Sequence, residues 1–498
     1  MTATSSTVPP TSSDQPTFHW SEAEIRRVGY RVADLIADYL LGLERGPVFC
    51  PVPRDLAERL VATPPPQTGT SPDALLEEFL RDVAPYPFGN GHRRFFGWVN
   101  SPPTAIAIFG SALAAAMNPS VAGGNHAAVY LEHQVINWFK ALLGFPVEST
   151  GVLVSGTSQG ALTALGVARH RACVRRGWNV RAAGMQGLPA HLVVYGTGEG
   201  HSCHQKALEL LGIGSENLRT VPTDAALRMD PRALDSMIVG DLEAGRVPLA
   251  VIASAGTVNT GVIDPLASVA DVCSRHDVWL HVDGAYGGPA ILTEEYAPEL
   301  APIRHADSVA LDPHKWLYVP VDAGVVLVRD AAVMRDAYSL VPPYLRTDGD
   351  PTGVQGPPWF SEYSVEQTRP FRALKVWLSL RHFGLDGYRS LLSHDIGTGR
   401  YLAQQLRLAN DFEIWEPQTL SIICFRYSPA HLRDDPRAID ELNRAVLTDV
   451  QLGGEAFVSS TLLRDRFWLR ACIVNPMAGE SDMEALVGIV RTAGQRRT

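Results

Sequence analysis

The sequence predicts an α/β protein with a mainly parallel, seven-stranded large domain, a smaller α+β C-terminal domain and an N-terminal helical arm. First, apolar runs alternate with helical segments from Gly151 onward, which is typical of parallel strands covered on both faces. Second, helices and strands come in separate groups after Pro370, as in an α+β unit. Third, a chain of 498 residues is too long for one compact core, so at least two domains are expected.

The composition indicates an ordinary soluble globular protein, with 46% hydrophobic and 19% charged residues. The net charge of −10 argues against nucleic acid as a partner, because no basic surplus is available to replace counterions. No run of about 18 apolar residues is present, so no membrane partner is expected. Residues 1–20 are rich in Ser, Thr and Pro and are expected to form a disordered tail. Six cysteines without paired spacing suit free thiols in a reducing cytoplasm, where we expect the protein to act.

Residues 21–104 predict the helical arm. Ser21 and Glu24 have the spacing of a capping box and precede an apolar pattern of helical period. A proline-rich connector is expected over 51–66, and a second amphipathic helix over Ser71–Val83. Because such helices make a poor core by themselves, we expect the arm to lie across another surface, such as a second subunit.

Residues 105–370 are assigned to the large domain and 371–498 to the small one. The expected strands of the large domain are Val152–Ser155, Leu192–Tyr195, Leu218–Val221, Leu249–Ser254, Val278–Val282, Ser308–Leu311 and Val325–Val328. Its expected helices are 105–117, 127–143, Ala161–Arg171, Pro231–Ile238 and Leu266–Arg275. The small domain is expected to have helices at Phe371–Arg381, Tyr388–Leu408, Ile439–Val450 and Asp482–Thr492. Its expected strands are Phe412–Trp415, Ser421–Tyr427, Ala456–Ser459 and Phe467–Ile473.

The stretch Asp307–Tyr318 places a lysine on a tight connection between two apolar strands. Pro313 blocks sheet pairing after the first strand, and His314 and Lys315 follow at once. Lysine is costly to bury without a partner, and burial lowers its pKa from about 10.4. Lys315 is therefore a candidate to form an imine with a carbonyl compound. A lysine that merely extends out of a strand end would show the same pattern.

The segment Gly151–Gly160 is a strand, a turn of small residues and the start of a helix. Backbone N–H groups at such a turn bind phosphate, here with the hydroxyls of Thr157 and Ser158. The same residues match Gly-x-Ser-x-Gly at 156–160, so a serine hydrolase using Ser158 is an alternative. No feature of the sequence selects a His and an Asp to complete a triad, and an ordinary βα turn remains open.

The cluster Gly200–His204 also follows a strand and opens a helix. Two histidines and a cysteine suggest a metal site, but this spacing at a helix start rarely places both imidazoles on one ion, so no metal is predicted. A single imidazole stacked on a flat ligand fits equally well, and His201 is the candidate.

Asp283 ends the apolar strand of the segment Val278–Gly288 and is followed by small residues that let a flat group come close to the backbone. A carboxylate there is costly unless it holds a cation, and the N–H of a protonated pyridine is one such cation. Ligands of parallel sheets bind at the carboxyl ends of strands, where Ser158, His201, Asp283 and Lys315 all fall.

A phosphate turn, a stacking imidazole, a carboxylate for a ring nitrogen and a reactive lysine are together what pyridoxal 5′-phosphate (PLP) requires. The sequence His-Val-Asp-Gly-Ala-Tyr-Gly-Gly contains Asp283, and Asp-Pro-His-Lys-Trp contains Lys315. With these motifs the chain resembles the group II PLP-dependent decarboxylases, a family that acts on aromatic amino acids, tyrosine, histidine or glutamate. The resemblance extends from about Ile25 to the last helix. It implies a fold-type I architecture and a homodimer with active sites at the interface.

The resemblance also implies roles for single residues. Lys315 matches the lysine that carries PLP, with His314 as its neighbour, and Asp283 matches the partner of the ring nitrogen. His201 matches the imidazole on the ring face. The remaining cofactor contacts implied by the family are Thr157 and Ser158 for the phosphate, Thr257 near the ring hydroxyl and Ala285 against the ring.

The segment Pro342–Leu345 resembles the start of the family's mobile catalytic loop. Tyr344 matches the tyrosine that returns a proton to the substrate carbon after carbon dioxide leaves. Relatives with phenylalanine at this position tend toward oxidative formation of an aldehyde, so Tyr344 favours simple decarboxylation. An aromatic aldehyde synthase on the same fold is the alternative function, and a cofactor-binding protein without turnover stays open.

The aromatic segment 92–101 is either core or the wall of a pocket for an apolar ligand. This segment resembles the one that forms the wall of the substrate pocket in the decarboxylase family. The resemblance implies substrate contacts from Phe96, Trp98, Val99 and Ser101, together with Thr368. Val99 replaces a common phenylalanine, and Thr368 replaces a common glycine or serine. No basic cluster indicates a side-chain carboxylate in the substrate. The expected substrate is therefore an aromatic or bulky apolar L-amino acid rather than glutamate.

Overall fold

The computed structural model describes residues 18–340 and 353–498, which form two β-sheets and the helices packed around them. The strands are β1 Phe95–Phe96, β2 Thr150–Val154, β3 Leu192–Gly196, β4 Leu218–Thr220, β5 Val247–Ser254, β6 Trp279–Asp283, β7 Ser308–Leu311, β8 Gly324–Val328, β9 Phe412–Ile414, β10 Ile422–Tyr427, β11 Phe457–Leu463 and β12 Arg466–Cys472. The helices are α1 Glu22–Gly42, α2 Arg54–Ala62, α3 Pro72–Asp82, α4 Ala105–Met117, α5 Ala127–Leu143, α6 Thr157–Val174, α7 Val180–Ala183, α8 Cys203–Leu210, α9 Pro231–Glu243, α10 Leu266–His276, α11 Ala297–Leu300, α12 Ala331–Tyr338, α13 Ala373–Leu408, α14 Pro436–Gly453 and α15 Glu480–Gln495.

The larger sheet has seven strands in the order β2-β8-β7-β6-β5-β3-β4. Its central strands β3, β5, β6 and β7 pair in parallel, and β8 is antiparallel to both β2 and β7. Strand β8 reverses direction because the connection 312–323 contains no crossover helix, which a parallel return requires. The prediction of a mainly parallel, seven-stranded sheet is therefore confirmed, and each strand begins or ends within about two residues of its predicted bounds.

Strands β5 to β8 are buried along their whole length, so both faces of the sheet are covered. Helix α6 is buried on almost every side, because it packs across the middle of the sheet. Only Ser155 and Gly156 separate β2 from α6, which places the N-terminus of α6 at the carboxyl edge of the sheet. This edge carries the candidate site.

The smaller sheet has the order β1-β11-β12-β10-β9. Strands β9 to β12 pair antiparallel, while β1, the Phe95–Phe96 pair, joins the edge of β11 in parallel. The aromatic segment thus connects the N-terminal part of the chain to the C-terminal sheet. Phe96 is fully buried in the core that this sheet shares with α13, α14 and α15.

Helix α1 begins at the predicted capping box, since the Ser21 hydroxyl accepts from the Glu24 N–H and the Glu24 carboxylate accepts from the Ser21 N–H. None of the residues of α1 is buried. The prediction of an extended connector over 51–66 is wrong, because α2 forms within it. Pro53 precedes the first turn of α2, where a proline costs no hydrogen bond, so the prolines flank this helix rather than break it.

The two helices predicted at Phe371–Arg381 and Tyr388–Leu408 are one helical run, α13, that changes direction at Gly384. Gly384 has φ +64° and ψ 175°, a conformation that glycine adopts without the steric cost of a Cβ. The break lies within the predicted gap, so the sequence indicated the bend but not the continuity. Among the helices of residues 18–340 and 353–498, none is long and apolar enough to cross a membrane.

Candidate active site

A cleft opens at the carboxyl edge of the larger sheet, where the β2–α6 turn faces the ends of β5, β6 and β7. The predicted cofactor residues that line this cleft are Thr157, Ser158, His201, Thr257, Asp283, Ala285 and Lys315. Val99 of the predicted substrate wall lines it as well. Residues distant in sequence thus meet at one place, because parallel strands end at the same edge.

Lys315 projects into the cleft from the connection after β7. Its Nζ lies 3.0 Å from Oδ2 of Asp312, and its backbone carbonyl accepts a short hydrogen bond from the Ser101 hydroxyl. Burial lowers the pKa of Lys315, but the carboxylates of Asp312 and Asp283 raise it by more, so the pKa lies above its ordinary value. The prediction of a lowered pKa for Lys315 is therefore wrong, because the two carboxylates outweigh burial.

Asp312 contacts both Lys315 and the β2–α6 turn, which is the predicted phosphate site. It is buried, and its Oδ1 accepts from the Thr157 N–H at 2.7 Å while its Oδ2 contacts Lys315. Asp312 is a site residue that the sequence analysis does not identify. An acid three residues before a buried lysine on a tight turn is the signal that could have identified it.

Asp283 stands at the end of β6 and is held from two sides. Its Oδ1 accepts from the Ala285 N–H at 3.0 Å, and its Oδ2 lies 3.2 Å from Nε2 of His204. Burial raises the pKa of Asp283, but His204 and Lys315 lower it by more, so the carboxyl is ionised well below its usual range. His204 belongs to the cluster of two histidines and a cysteine at 200–204, from which sequence reasoning selected only His201.

His201 is exposed on the wall of the cleft, and its Nδ1 accepts from the Cys203 N–H at 3.1 Å. Cys203 lines the cleft beside it. Burial raises the pKa of the Cys203 thiol, but hydrogen bonds with His201 and His204 lower it by more, to about 7. On the other side, the Thr257 hydroxyl is buried and lies 3.2 Å from that of Thr260.

The β2–α6 turn fits a phosphate. The Thr157 hydroxyl is buried, and among the described residues it has no hydrogen-bond partner. The turn is closely packed, because a Cβ placed on Gly324 would lie 2.6 Å from Cα of Gly156. A buried hydroxyl without a partner at a helix N-terminus is what a phosphate oxygen would satisfy. Ser158 lines the cleft beside it, and no described histidine or carboxylate forms a hydrogen bond with Ser158, so the hydrolase alternative gains no support.

The other predicted residues that the structure describes are not part of the cleft lining. His314 accepts from the Ala323 N–H at 3.1 Å through Nδ1. Phe96 points into the small-sheet core because it belongs to β1, and Trp98 is half exposed and stacks on Phe88 at 5.2 Å. Thr368 is exposed. Of the predicted substrate contacts, therefore, the following do not line the cleft: Phe96, Trp98, Ser101 and Thr368. Tyr344 lies outside the described residues.

The fold and the cleft together define the class: a fold-type I enzyme that uses PLP. Residues 53–428 match the family model of the pyridoxal-dependent decarboxylase conserved domain. The chain therefore belongs to the pyridoxal-dependent decarboxylase family, and its activity is that of a PLP-dependent carboxy-lyase.

Individual relatives match along almost the whole chain. An aromatic-L-amino-acid decarboxylase of Bacillus atrophaeus is 35% identical over 93% of this chain and 94% of its own length. A phenylacetaldehyde synthase of a Rosa hybrid cultivar is 28% identical over 97% and 96%. The crystal structure of Oryza sativa TDC with PLP and tryptamine has a TM-score of 0.89, with 27% identity, and covers 97% of this chain and 100% of that one.

Proposed function

We propose that this protein decarboxylates an aromatic or bulky apolar L-amino acid to its amine, with PLP held in the cleft described above. The observation that carries the proposal is the meeting of Asp283 and Lys315 at the ends of neighbouring strands, opposite the β2–α6 turn. Asp283 matches the ring nitrogen of PLP and Lys315 its reactive aldehyde. The Thr157 hydroxyl, which has no hydrogen-bond partner among the described residues, matches the phosphate.

The proposed residue roles follow from these positions. When bound, PLP supplies an electron-accepting ring that stabilises the carbanion left as carbon dioxide departs. Lys315 would attach the cofactor through its ε-amino group, and the ionised Asp283 would keep the ring nitrogen protonated. His201 would lie against the ring face, with Ala285 and Thr257 around the ring. Thr157 and Ser158 would bind the phosphate.

The proposed preference for aromatic or bulky apolar substrates is supported by the charge of the cleft. Among the described lining residues Lys315 is the one lysine or arginine, and its charge is already opposed by Asp312 and Asp283. Among the described lining residues, a second carboxylate on the substrate would find no free cation. The Bacillus relative is an aromatic-L-amino-acid decarboxylase, which agrees with this preference.

The test of the proposed function is an incubation of the PLP-loaded protein with an equimolar mixture of L-amino acids, followed by mass spectrometry. We expect one or a few aromatic amino acids to be replaced by amines in equal amount. The Lys315→Ala protein is the control. Consumption of glutamate or another acidic amino acid in preference to aromatic ones would contradict the proposed substrate class.

The second candidate function, an aromatic aldehyde synthase, is distinguished by a single substitution. Tyr344→Phe removes the phenol that we propose returns a proton to the substrate carbon. We expect amine formation to fall by about 10²-fold. In air-saturated buffer, where O2 is the oxidant, we expect aldehyde to appear together with hydrogen peroxide and ammonia. The measurement is the ratio of amine to aldehyde by mass spectrometry, with the exposed Tyr30→Phe as control. An unchanged product ratio would remove the proposed role of Tyr344.

We also propose that the protein acts as a homodimer in the cytoplasm, with residues 21–104 as the dimer arm, 105–370 as the cofactor domain and 371–498 as the small domain. The support for the dimer is an apolar groove between α1, α3 and the start of α4, whose walls include Val32, Ile36 and Phe79. Helix α1 has no buried residue, although it carries large apolar side chains. A second copy of the arm would cover them.

The dimer proposal predicts the effect of a charge in this groove. Val32→Asp should weaken the dimer at least about tenfold, because an unpaired carboxylate would be buried between subunits. Sedimentation equilibrium measures the mass, and Arg26→Ala, whose partner Glu22 lies on the same exposed helix, serves as control. A wild-type protein that is monomeric and fully active would contradict the proposal.

A further inference from the structure

His204 makes a contact that the proposed mechanism does not use. It lies in the first turn of α8, almost fully buried, with Nε2 3.2 Å from Oδ2 of Asp283. Among the described residues this nitrogen has no well-aligned hydrogen-bond acceptor, so the Asp283 carboxylate is the acceptor within its reach. The other oxygen of Asp283 accepts from the Ala285 N–H. The carboxylate therefore has one fixed backbone donor and one side-chain donor.

Of the two neighbouring histidines, His204 and His281, the surrounding groups favour protonation of His204. The ionisable groups that face His204 are Asp283, Cys203 and His281. Lys315, which pairs with Asp312, also faces Asp283. The His281 ring lies edge-on to His204 at 6.2 Å, and its Nδ1 is 2.9 Å from the Ser308 hydroxyl. Burial and the charge of His204 lower the pKa of His281 to about 3, so His281 is neutral.

The pKa of His204, in contrast to that of His281, is raised. Burial lowers its pKa, but hydrogen bonding and charge interaction with Asp283 and Cys203 raise it by more, so it stays above the ordinary value. Its ring is consequently a donor throughout the neutral range. Isolated burial of a carboxylate favours the protonated form, and a donor or cation beside it reverses that preference.

We propose that His204 is a positioning residue, which keeps the carboxylate of Asp283 ionised and oriented so that it is ready to pair with the ring nitrogen of PLP. The inference rests on the proposed function of Asp283 and adds a residue that acts through it. The inference rests on the contact distance, on the burial of both groups and on the lack of another acceptor for Nε2 among the described residues. No part of it requires His204 to touch the cofactor.

The test is a titration of the apoenzyme with PLP at several pH values between 5.5 and 8.5. Intrinsic fluorescence monitors binding and gives the dissociation constant of PLP. His204→Leu removes the donor, and His204→Gln keeps an N–H donor without the charge. The control is His170→Leu, which removes a buried histidine whose Nε2 lies 2.6 Å from the exposed carboxylate of Asp336, outside the cleft. Asp283→Asn in the same series reports on the proposed function itself.

For His204→Leu we expect the dissociation constant of PLP to rise at least about tenfold relative to wild type. The ratio should grow as the pH falls, because the carboxyl of Asp283 then has a raised pKa and becomes protonated within this range. His204→Gln should restore most of the affinity. Asp283→Asn should bind weakly, with no added pH dependence, since its titrating group is gone. His170→Leu should bind PLP as wild type does.

Three outcomes would overturn the inference. The first is a folded His204→Leu with wild-type affinity and pH profile while Asp283→Asn binds weakly, which leaves the proposed function intact. The second is equal loss in His204→Leu and His204→Gln, which indicates packing alone. The third is stoichiometric zinc in the purified protein that His204→Leu releases, because Cys203, His204 and Asp283 bring their ligand atoms within 4.8 Å of one another. Wild-type binding by Asp283→Asn would instead reject the proposed function.

Discussion

Replacing Lys315 with alanine is expected to lower turnover by more than about 10³-fold and to remove the visible absorbance of the bound cofactor. The reason is the position of its amino group in the cleft. Lys315 is the one lysine or arginine among the described residues that line the cleft. Without it the cofactor aldehyde has no amine to bond to. PLP should still bind through its phosphate and ring nitrogen, but more weakly and reversibly.

The attachment site can be assigned without ambiguity, because the lysines of the chain are Lys140, Lys206, Lys315 and Lys375. Borohydride reduction of the loaded protein followed by peptide mass mapping should place the cofactor on the peptide that contains Lys315. Lys206→Ala is the matched control, since Lys206 is exposed on α8. Unchanged absorbance in Lys315→Ala, or a label on another lysine, would contradict the proposed role.

The second large effect is expected for Asp283→Asn, which keeps the shape of the side chain and removes its charge. At neutral pH the wild-type carboxyl is ionised, because its pKa is depressed below the usual range by His204 and Lys315. The amide cannot hold a proton on the ring nitrogen of PLP. We expect kcat to fall by about 10³-fold, equivalent to about 4 kcal/mol of transition-state stabilisation.

The sign of the pH dependence follows from the same shift. A carboxyl with a depressed pKa keeps its contribution above the ordinary pKa of aspartate, about 3.9, and loses it only as the pH falls through the lower folded value. Wild-type cofactor binding should therefore not weaken between pH 8 and 5 through titration of Asp283. Asp241→Asn is the control, a buried aspartate that pairs with Arg219 and Arg246 away from the cleft. A kcat of Asp283→Asn within tenfold of wild type would exclude the proposed role.

Most of the larger sheet could be predicted from local pattern. Strands such as β5 and β7 are continuous apolar runs, and a run of that kind has few alternatives to a buried parallel strand. The short strand β1 could not be predicted in this way. Two phenylalanines pair with β11 across more than 350 positions of sequence, and nothing local distinguishes them from ordinary core residues.

The candidate site, like the sheets, has one part that the local sequence predicts and another that it does not. The sequence by itself determined that Asp283 and Lys315 follow apolar strands, and the geometry of parallel sheets then requires both to lie at one edge. It also predicts a phosphate-binding turn at Thr157, because a strand, small residues and a helix start are adjacent in the chain.

Only the tertiary structure decided which polar side chains surround these groups. The contacts of Asp312 with the Thr157 N–H and of His204 with Asp283 join residues that are far apart in the sequence. The charge state of Lys315 depends on the same contacts, because two nearby carboxylates outweigh its burial. Electrostatic interactions act through distance in space, and the sequence specifies that distance only after the chain has folded.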